Sequence, residues 1–212
     1  MKFAKPRAAT FLLASIILAC ATSTSALELE KGDAKRIFQF DTVQMRENQQ
    51  MAYASFKKRT DFNAAFAVSL SSPAWGAQAS SNLEHSKTIA LARCNQYTEN
   101  NDCRVLAVAV PNSVETLSGN VRALTPSQKA YIQKQYFKTS ILEGKKYSVL
   151  AGNSLYVVAR TKRTHYDRAV SDAMSDCERY SSRLKGTLHR DVYDAMQQSG
   201  ALECYVLHAV GG

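Results

Sequence analysis

The sequence predicts an α+β protein: two β-β-α-β repeats sharing a core, with additional helices and two disulfides. Three observations predict it. The helix signature Ala-x-x-x-Cys-x-x-Tyr occurs at Ala90/Cys94/Tyr97 and again at Ala173/Cys177/Tyr180. Each copy follows an apolar hairpin, 66–79 in one case and 147–160 in the other. Each also precedes a second cysteine that opens an apolar strand, Cys103 before 105–110 and Cys204 before 205–210. Short apolar runs bounded by Ser, Pro, Gly and Asn are strand signals, whereas three- and four-residue spacing is helical.

Taken in order, the chain starts with Lys2, Lys5 and Arg7, an apolar run over 11–19 and small residues to Ala26. Basic, apolar and small-residue segments in that order read as a secretory signal over 1–26. The run is shorter than the ~20 residues a bilayer span needs, and nothing later is longer, so no transmembrane span is expected. Thr24-Ser25-Ala26 and Ala19-Cys20-Ala21 both offer small residues for cleavage, giving a periplasmic or secreted protein. Ile17-Leu18-Ala19-Cys20 is also similar to a lipoprotein processing box, although Leu18 fits its position imperfectly. On that alternative Cys20 carries a lipid anchor and the protein is held at the membrane.

Beyond residue 26 there are four cysteines, Cys94, Cys103, Cys177 and Cys204. An even number in an oxidising compartment argues for two disulfides rather than thiol chemistry. Three pairings exist; the repeat favours Cys94–Cys103 and Cys177–Cys204. The rival, a structural zinc site, lacks its usual Cys-x-x-Cys spacing. The formal charge of +9 falls to +6 without the signal's three basic residues. That balance suits an anionic lipid or polysaccharide surface, or simple solubility; nucleic acid is a poor explanation for it outside the cytoplasm.

Residues 27–62 are polar. Asp41-Thr42-Val43-Gln44 predicts a helix start, with Asp41 as cap and the helix running to about Lys58; a tether is the alternative. The first repeat (63–110) opens with Phe66, Val68 and Leu70 alternating with smaller residues, as in a half-buried strand. Ser72-Pro73 turns the chain into Trp75-Gly76-Ala77, with Trp75 covering the end of the core. Asn82 caps a helix whose stripe is Leu83, Ser86, Ala90, Cys94 and Tyr97. The strand 105–110 is apolar almost throughout, which predicts cover on both faces.

The connector (111–146) carries Thr125-Pro126, a helix-start pair, and should hold a helix to about Lys138, with Gly144 stopping any continuation. The second repeat (147–212) has an insert at 183–201 with a helix near 188–198. Its main helix, 165–180, turns Tyr166, Ala169, Val170, Ala173, Met174 and Cys177 inward and Asp167, Asp172, Asp176 and Glu178 toward solvent or nearby bases.

No catalytic residue, metal site or cofactor is assigned from the sequence. Gly152-Asn153-Ser154-Leu155-Tyr156 has half of a nucleophile-elbow motif and reads better as a hairpin turn. The four histidines show no metal-ligand spacing, and His208 reads as a satisfied core or edge residue. The one surface feature is basic: Arg160, Lys162, Arg163, His165 and Arg168, with Arg160 and Lys162 expected on one face of a strand. It is read either as a clasp for an anion or acidic partner or as charge protecting an edge strand.

Trp75-Gly76 on a hairpin, Ala90-Leu91-x-x-Cys94 and Cys103-Arg104-Val105 together resemble a family of small secreted bacterial domains of unknown function. The resemblance covers about 45 residues of the first repeat and only the cysteine skeleton of the second, where Tyr156 stands near the tryptophan's place. It implies export and a disulfide from the helix to the next strand, and brings no activity with it. The chain departs from the family in lacking short glycine-rich loops. The expected function is that of an exported, non-enzymatic envelope protein binding a protein partner or an anionic envelope component. The alternatives are an enzyme acting on an envelope polymer such as peptidoglycan, and a purely structural role.

Overall fold

Strand β2 (Ala64–Ser69) is buried at every residue, because each of its faces carries a helix. The computed structural model describes residues 35–59, 61–114, 117, 121–138 and 146–211. The predicted signal segment with Cys20, and Gly144, lie outside them. On one face of β2, Phe66 and Val68 meet Tyr53 and Phe56 of α1 (Glu47–Lys58). The Phe66 ring lies 5.3 Å from Tyr53, 5.5 Å from Phe56 and 6.0 Å from Trp75. Ring pairs at such distances contribute about 0.5–1.5 kcal/mol each beyond area burial. On the other face, Ala65 and Ala67 meet Leu83, Ala90 and Cys94 of α2 (Leu83–Asn95). The predicted alternation of half-buried and exposed positions is thus replaced by burial on both faces, and Leu70 lies exposed in the turn.

The first sheet has the order β1-β4-β2-β3, antiparallel throughout, with β1 at Lys35–Gln39, β3 at Trp75–Ala79 and β4 at Cys103–Pro111. Strand β1 was not foreseen: its sequence, KRIFQ, is too charged to stand out, and pairing with the apolar β4 decides it. The start of α1 is also later than expected. Asp41 accepts from the Thr42 amide instead of capping, and Gln49 Oε1 accepts from Arg46 N (2.9 Å) at the true N-terminus. Gly76 is where β3 and α2 touch: a Cβ there would lie 2.2 Å from the Ala90 carbonyl oxygen and 2.6 Å from the Cys94 nitrogen. Asn82 caps α2 as predicted, its Oδ1 accepting from Glu84 N and His85 N.

The second sheet has the order β6-β5-β7, with β5 at Tyr147–Gly152, β6 at Val157–Arg163 and β7 at Tyr205–Val210. Its hairpin-first connectivity and strand neighbours match those of β2, β3 and β4. Helix α4 (Tyr166–Leu184) covers one face through Ala169, Ala173 and Cys177. The other is covered by α3 (Pro126–Tyr131) and the π-helical stretch continuing it (Ile132–Phe137), through Ile132 and Tyr136. Thr125 caps α3 and exchanges bonds with Gln128, as Thr-Pro predicts. Burial pushes the Tyr136 phenol up to about 12; its hydroxyl lies 2.7 Å from His208 Nδ1, which satisfies that histidine at the sheet.

The disulfides are Cys94–Cys103 and Cys177–Cys204, each joining a helix to the following strand. The insert helix α5 (Arg190–Gln198) packs Val192 and Met196 against Ile89 of α2, which joins the two sheet layers. Backbone bonds complete the seam: Ser81 N donates to Ser154 O, Ser154 N to Ala201 O, and Ala123 N to Ser81 O. Among the described residues, no helix is long and apolar enough to cross a membrane.

Candidate functional site

The basic set from the sequence comes together at the end of β6, but in a different phase. Val149 pairs with Arg160 and Tyr147 with Arg163, so β6 carries one extra residue there. Lys162 takes a left-handed φ of 61° at this bulge. Arg163, not Lys162, therefore shares a face with Arg160, which corrects the expected alternation. That face looks at α4: Arg160 pairs with Asp176, and Arg163 Nη2 lies 3.1 Å from Asp172. Asp176, expected toward solvent or nearby bases, is 8 % exposed and takes the second course, also holding Arg179. A carboxylate is tolerated at that depth because two guanidinium groups neutralise it. The two arginines thus tie β6 to α4, whereas Lys162, His165 and Arg168 stay exposed. Tyr166, expected inward, is exposed as well.

A cavity of about 520 Å³ opens at the seam, bordered by His85, Arg122, Ser154, Ser199, Glu203 and Tyr205 among others. His85 Nδ1 lies 2.5 Å from Ser154 Oγ, a pairing across 69 positions that no local motif announces. Its direction follows from the neighbouring cap. Asn82 Oδ1 is committed to the α2 amides, so its Nδ2 faces His85 Nε2 at 3.2 Å and donates to it. Nε2 is then the unprotonated nitrogen and Nδ1–H donates to the serine. In this tautomer the serine oxygen accepts, and the bond ties the 153–154 turn to the start of α2. Burial, with Arg122 nearby, holds the His85 pKa below its usual range, against the opposing pull of Glu203 and Glu84. His189 sits 3.6 Å from Asp191 with both side chains well exposed. Among the described residues, no cluster of three or more His, Cys, Asp or Glu is placed to hold a metal ion.

The third place is the outer side of β3, the last strand of its sheet. It lies between α1 and α2, and three depressions open along it. One is bordered by Trp75, Gly76, Arg93, Gln96 and Tyr97; a second by Met51, Ser55 and Trp75; a third by Asp61, Gln78 and Arg93. Their volumes are about 440, 400 and 310 Å³. Trp75 is 41 % and Tyr97 71 % exposed.

Between them Arg93 is unusual. Its Nε is buried without a hydrogen-bond partner, and no carboxylate among the described residues forms an ion pair with its guanidinium. Burial lowers its pKa from the ordinary guanidinium range, with the Tyr97 phenol working the other way. A half-buried cation without a counter-charge among the described residues is costly to keep and stabilises any anion that reaches it. Arg59, at the same groove, is already paired with Asp61 at 2.9 Å.

Sequence reasoning passed over Arg93 because arginine beside a stripe residue is usually a solvated flank. The available signal was its neighbour Cys94: a helix drawn onto Gly76 brings the next side chain down onto β3 as well. Comparison with protein-family models, curated proteins and solved structures finds no match for the chain.

Proposed function

We propose that this chain is an exported, non-enzymatic bacterial envelope protein that binds a protein partner or an anionic envelope component, and that it does so along β3. The observation that carries the reading is Arg93, a half-buried cation without a carboxylate partner among the described residues, flanked by exposed Trp75 and Tyr97. Two disulfides support an oxidising compartment, such as the periplasm or the outside of the cell. The signal over 1–26 and the likeness to small secreted domains support the same placement. Lipid attachment at Cys20 remains the alternative to free release. The basic set at Arg160 and Arg163 contributes less than the sequence suggests, since both arginines are engaged with α4.

Trp75 is the only tryptophan in the chain, so its emission reports on this groove without a label. The oxidised protein is titrated with lipopolysaccharide, with phosphatidylglycerol vesicles and with acidic peptides. At least one of them should shift Trp75 emission saturably. The response should be lost in Arg93→Glu and kept in Arg168→Glu. Loss in Arg168→Glu alone would return the site to the basic end of β6, and silence toward every probe would remove the binding reading at β3.

A further inference from the structure

We propose that the free edge of β3 accepts an extended acidic segment of a partner protein as an added strand, with a partner carboxylate on Arg93. This rests on the reading of β3 as the binding site and names its occupant. A sheet edge presents unpaired backbone N–H and C=O groups, which an incoming chain satisfies while its side chains enter pockets on alternate sides. β3 has strand β2 on one side and, among the described residues, no strand on the other. Its residues alternate as required: Trp75 and Ala77 lean toward α1, whereas Gly76 packs on α2 beside Arg93.

The two edge strands of the second sheet are less suited. β6 is bulged at Lys162 and carries a dense run of cations, both devices that blunt an edge. β7 carries no carboxylate, lysine or arginine to select a partner. At β3 the charge complementarity is explicit: Arg93 has no ion pair among the described residues, and the depressions beside it are open.

The alternation of β3 also specifies the guest. Residues lying on the α1 side meet Trp75 and Met51 and should be apolar. Residues lying on the α2 side meet Arg93 and Gln96 and should be acidic. A segment matching the five residues of β3 fills the groove.

The probe is an acetylated, amidated Val-Glu-Val-Glu-Val peptide, added to the intact oxidised protein and read by Trp75 emission and by amide hydrogen exchange. Saturable binding with slowed exchange at 75–79 is expected. N-methylation of alternate peptide amides, which removes main-chain donors, should weaken binding at least about tenfold, as should Arg93→Gln. Tyr97→Ala, at an exposed position, provides a second groove variant should Arg93→Gln fail to fold, and should weaken binding by a smaller factor. Replacing the glutamates by lysines should abolish it.

Equal binding of the N-methylated peptide would overturn strand addition. Binding of dextran sulfate or lipopolysaccharide with none of the peptide would also overturn it, while leaving β3 as an anion site. If no probe binds, the functional reading fails as well. If Arg93→Gln self-associates and the wild type ignores the peptide, Arg93 guards the edge against pairing and the inference is wrong.

Discussion

Replacing Gly76 by alanine adds one carbon, and the structure states what it meets. The new Cβ would sit 2.2 Å from the Ala90 carbonyl oxygen and 2.6 Å from the Cys94 nitrogen. Both are backbone atoms of α2, so no side chain can swing away. Relief requires the helix to move off β3 by about 1 Å, the shortfall from ordinary contact in a close-packed interior. That helix is pressed onto Ala65, Ala67 and Val108 and tied by the Cys94–Cys103 bond. Overpacking costs about 1–3 kcal/mol in general, and the rigid setting places this case near 3. For a chain of this size each kcal/mol lowers Tm by about 2–4 °C, giving a fall of about 6–12 °C. Gly186→Ala is the control, because its nearest contact is the Arg183 oxygen at 4.0 Å; it should be neutral or stabilise by up to about 1 kcal/mol. Thermal and guanidinium unfolding of the oxidised proteins measures both. A Gly76→Ala variant within 2 °C of the wild type, judged against the roughly 2 °C that even a 1 kcal/mol cost would produce, refutes the close-approach reasoning.

Three further outcomes follow from the same contacts. Gln49 is buried, and its Nε2 is placed to donate to the carbonyls of Ser69, Ser72 and Ala74 at 3.0, 3.1 and 2.9 Å; Gln49→Ala removes this donor, leaving Ala74 O only the Ser69 amide, and should cost about 1–3 kcal/mol by urea unfolding. Asp176→Asn should destabilise by about 1–3 kcal/mol, below the figure for a fully buried pair because Arg160 and Arg179 are partly exposed. Its deficit should shrink in high salt. His85 has a folded pKa below the unfolded value, so the unfolded state binds the proton more readily. Its contribution is complete above about pH 6.5, the unfolded value, and is lost as pH falls through the folded pKa. His85→Gln should flatten that limb of a stability–pH profile. Asp102, lowered chiefly by the Ser69 hydroxyl bond, adds a second loss at more acid pH by the same sign.

The elements with strong local chemistry were legible in the sequence. Asn82 and Thr125 announce their helices, Ser72-Pro73 its turn, and the cysteine spacing its two bonds. What was not legible depended on partners far along the chain. KRIFQ becomes a strand only beside β4. Asp172 and Asp176 look like ordinary helix-surface carboxylates until the bulge at Lys162 sets Arg163 as well as Arg160 beneath α4. The basic run was visible as composition, but composition does not record which cations are already matched. Arg93 is the converse case: a residue ordinary in its local context, made conspicuous by the absence of a counter-charge among its described neighbours. His85 and Ser154 meet across the seam, and the direction of their bond depends on what Asn82 does at the helix cap.

The junction between the halves bears on how the chain comes apart. Ile89 is shielded by Val192 and Met196, and the 153–154 turn is laced to Ser81 and Ala201. Neither half retains this cover when cut from the other, so a fragment ending before residue 147 would expose an apolar helix flank and behave as a sticky, partly melted species. Calorimetry of the intact protein should accordingly show one heat-absorption peak rather than two. A lesion in either half would then be felt by both.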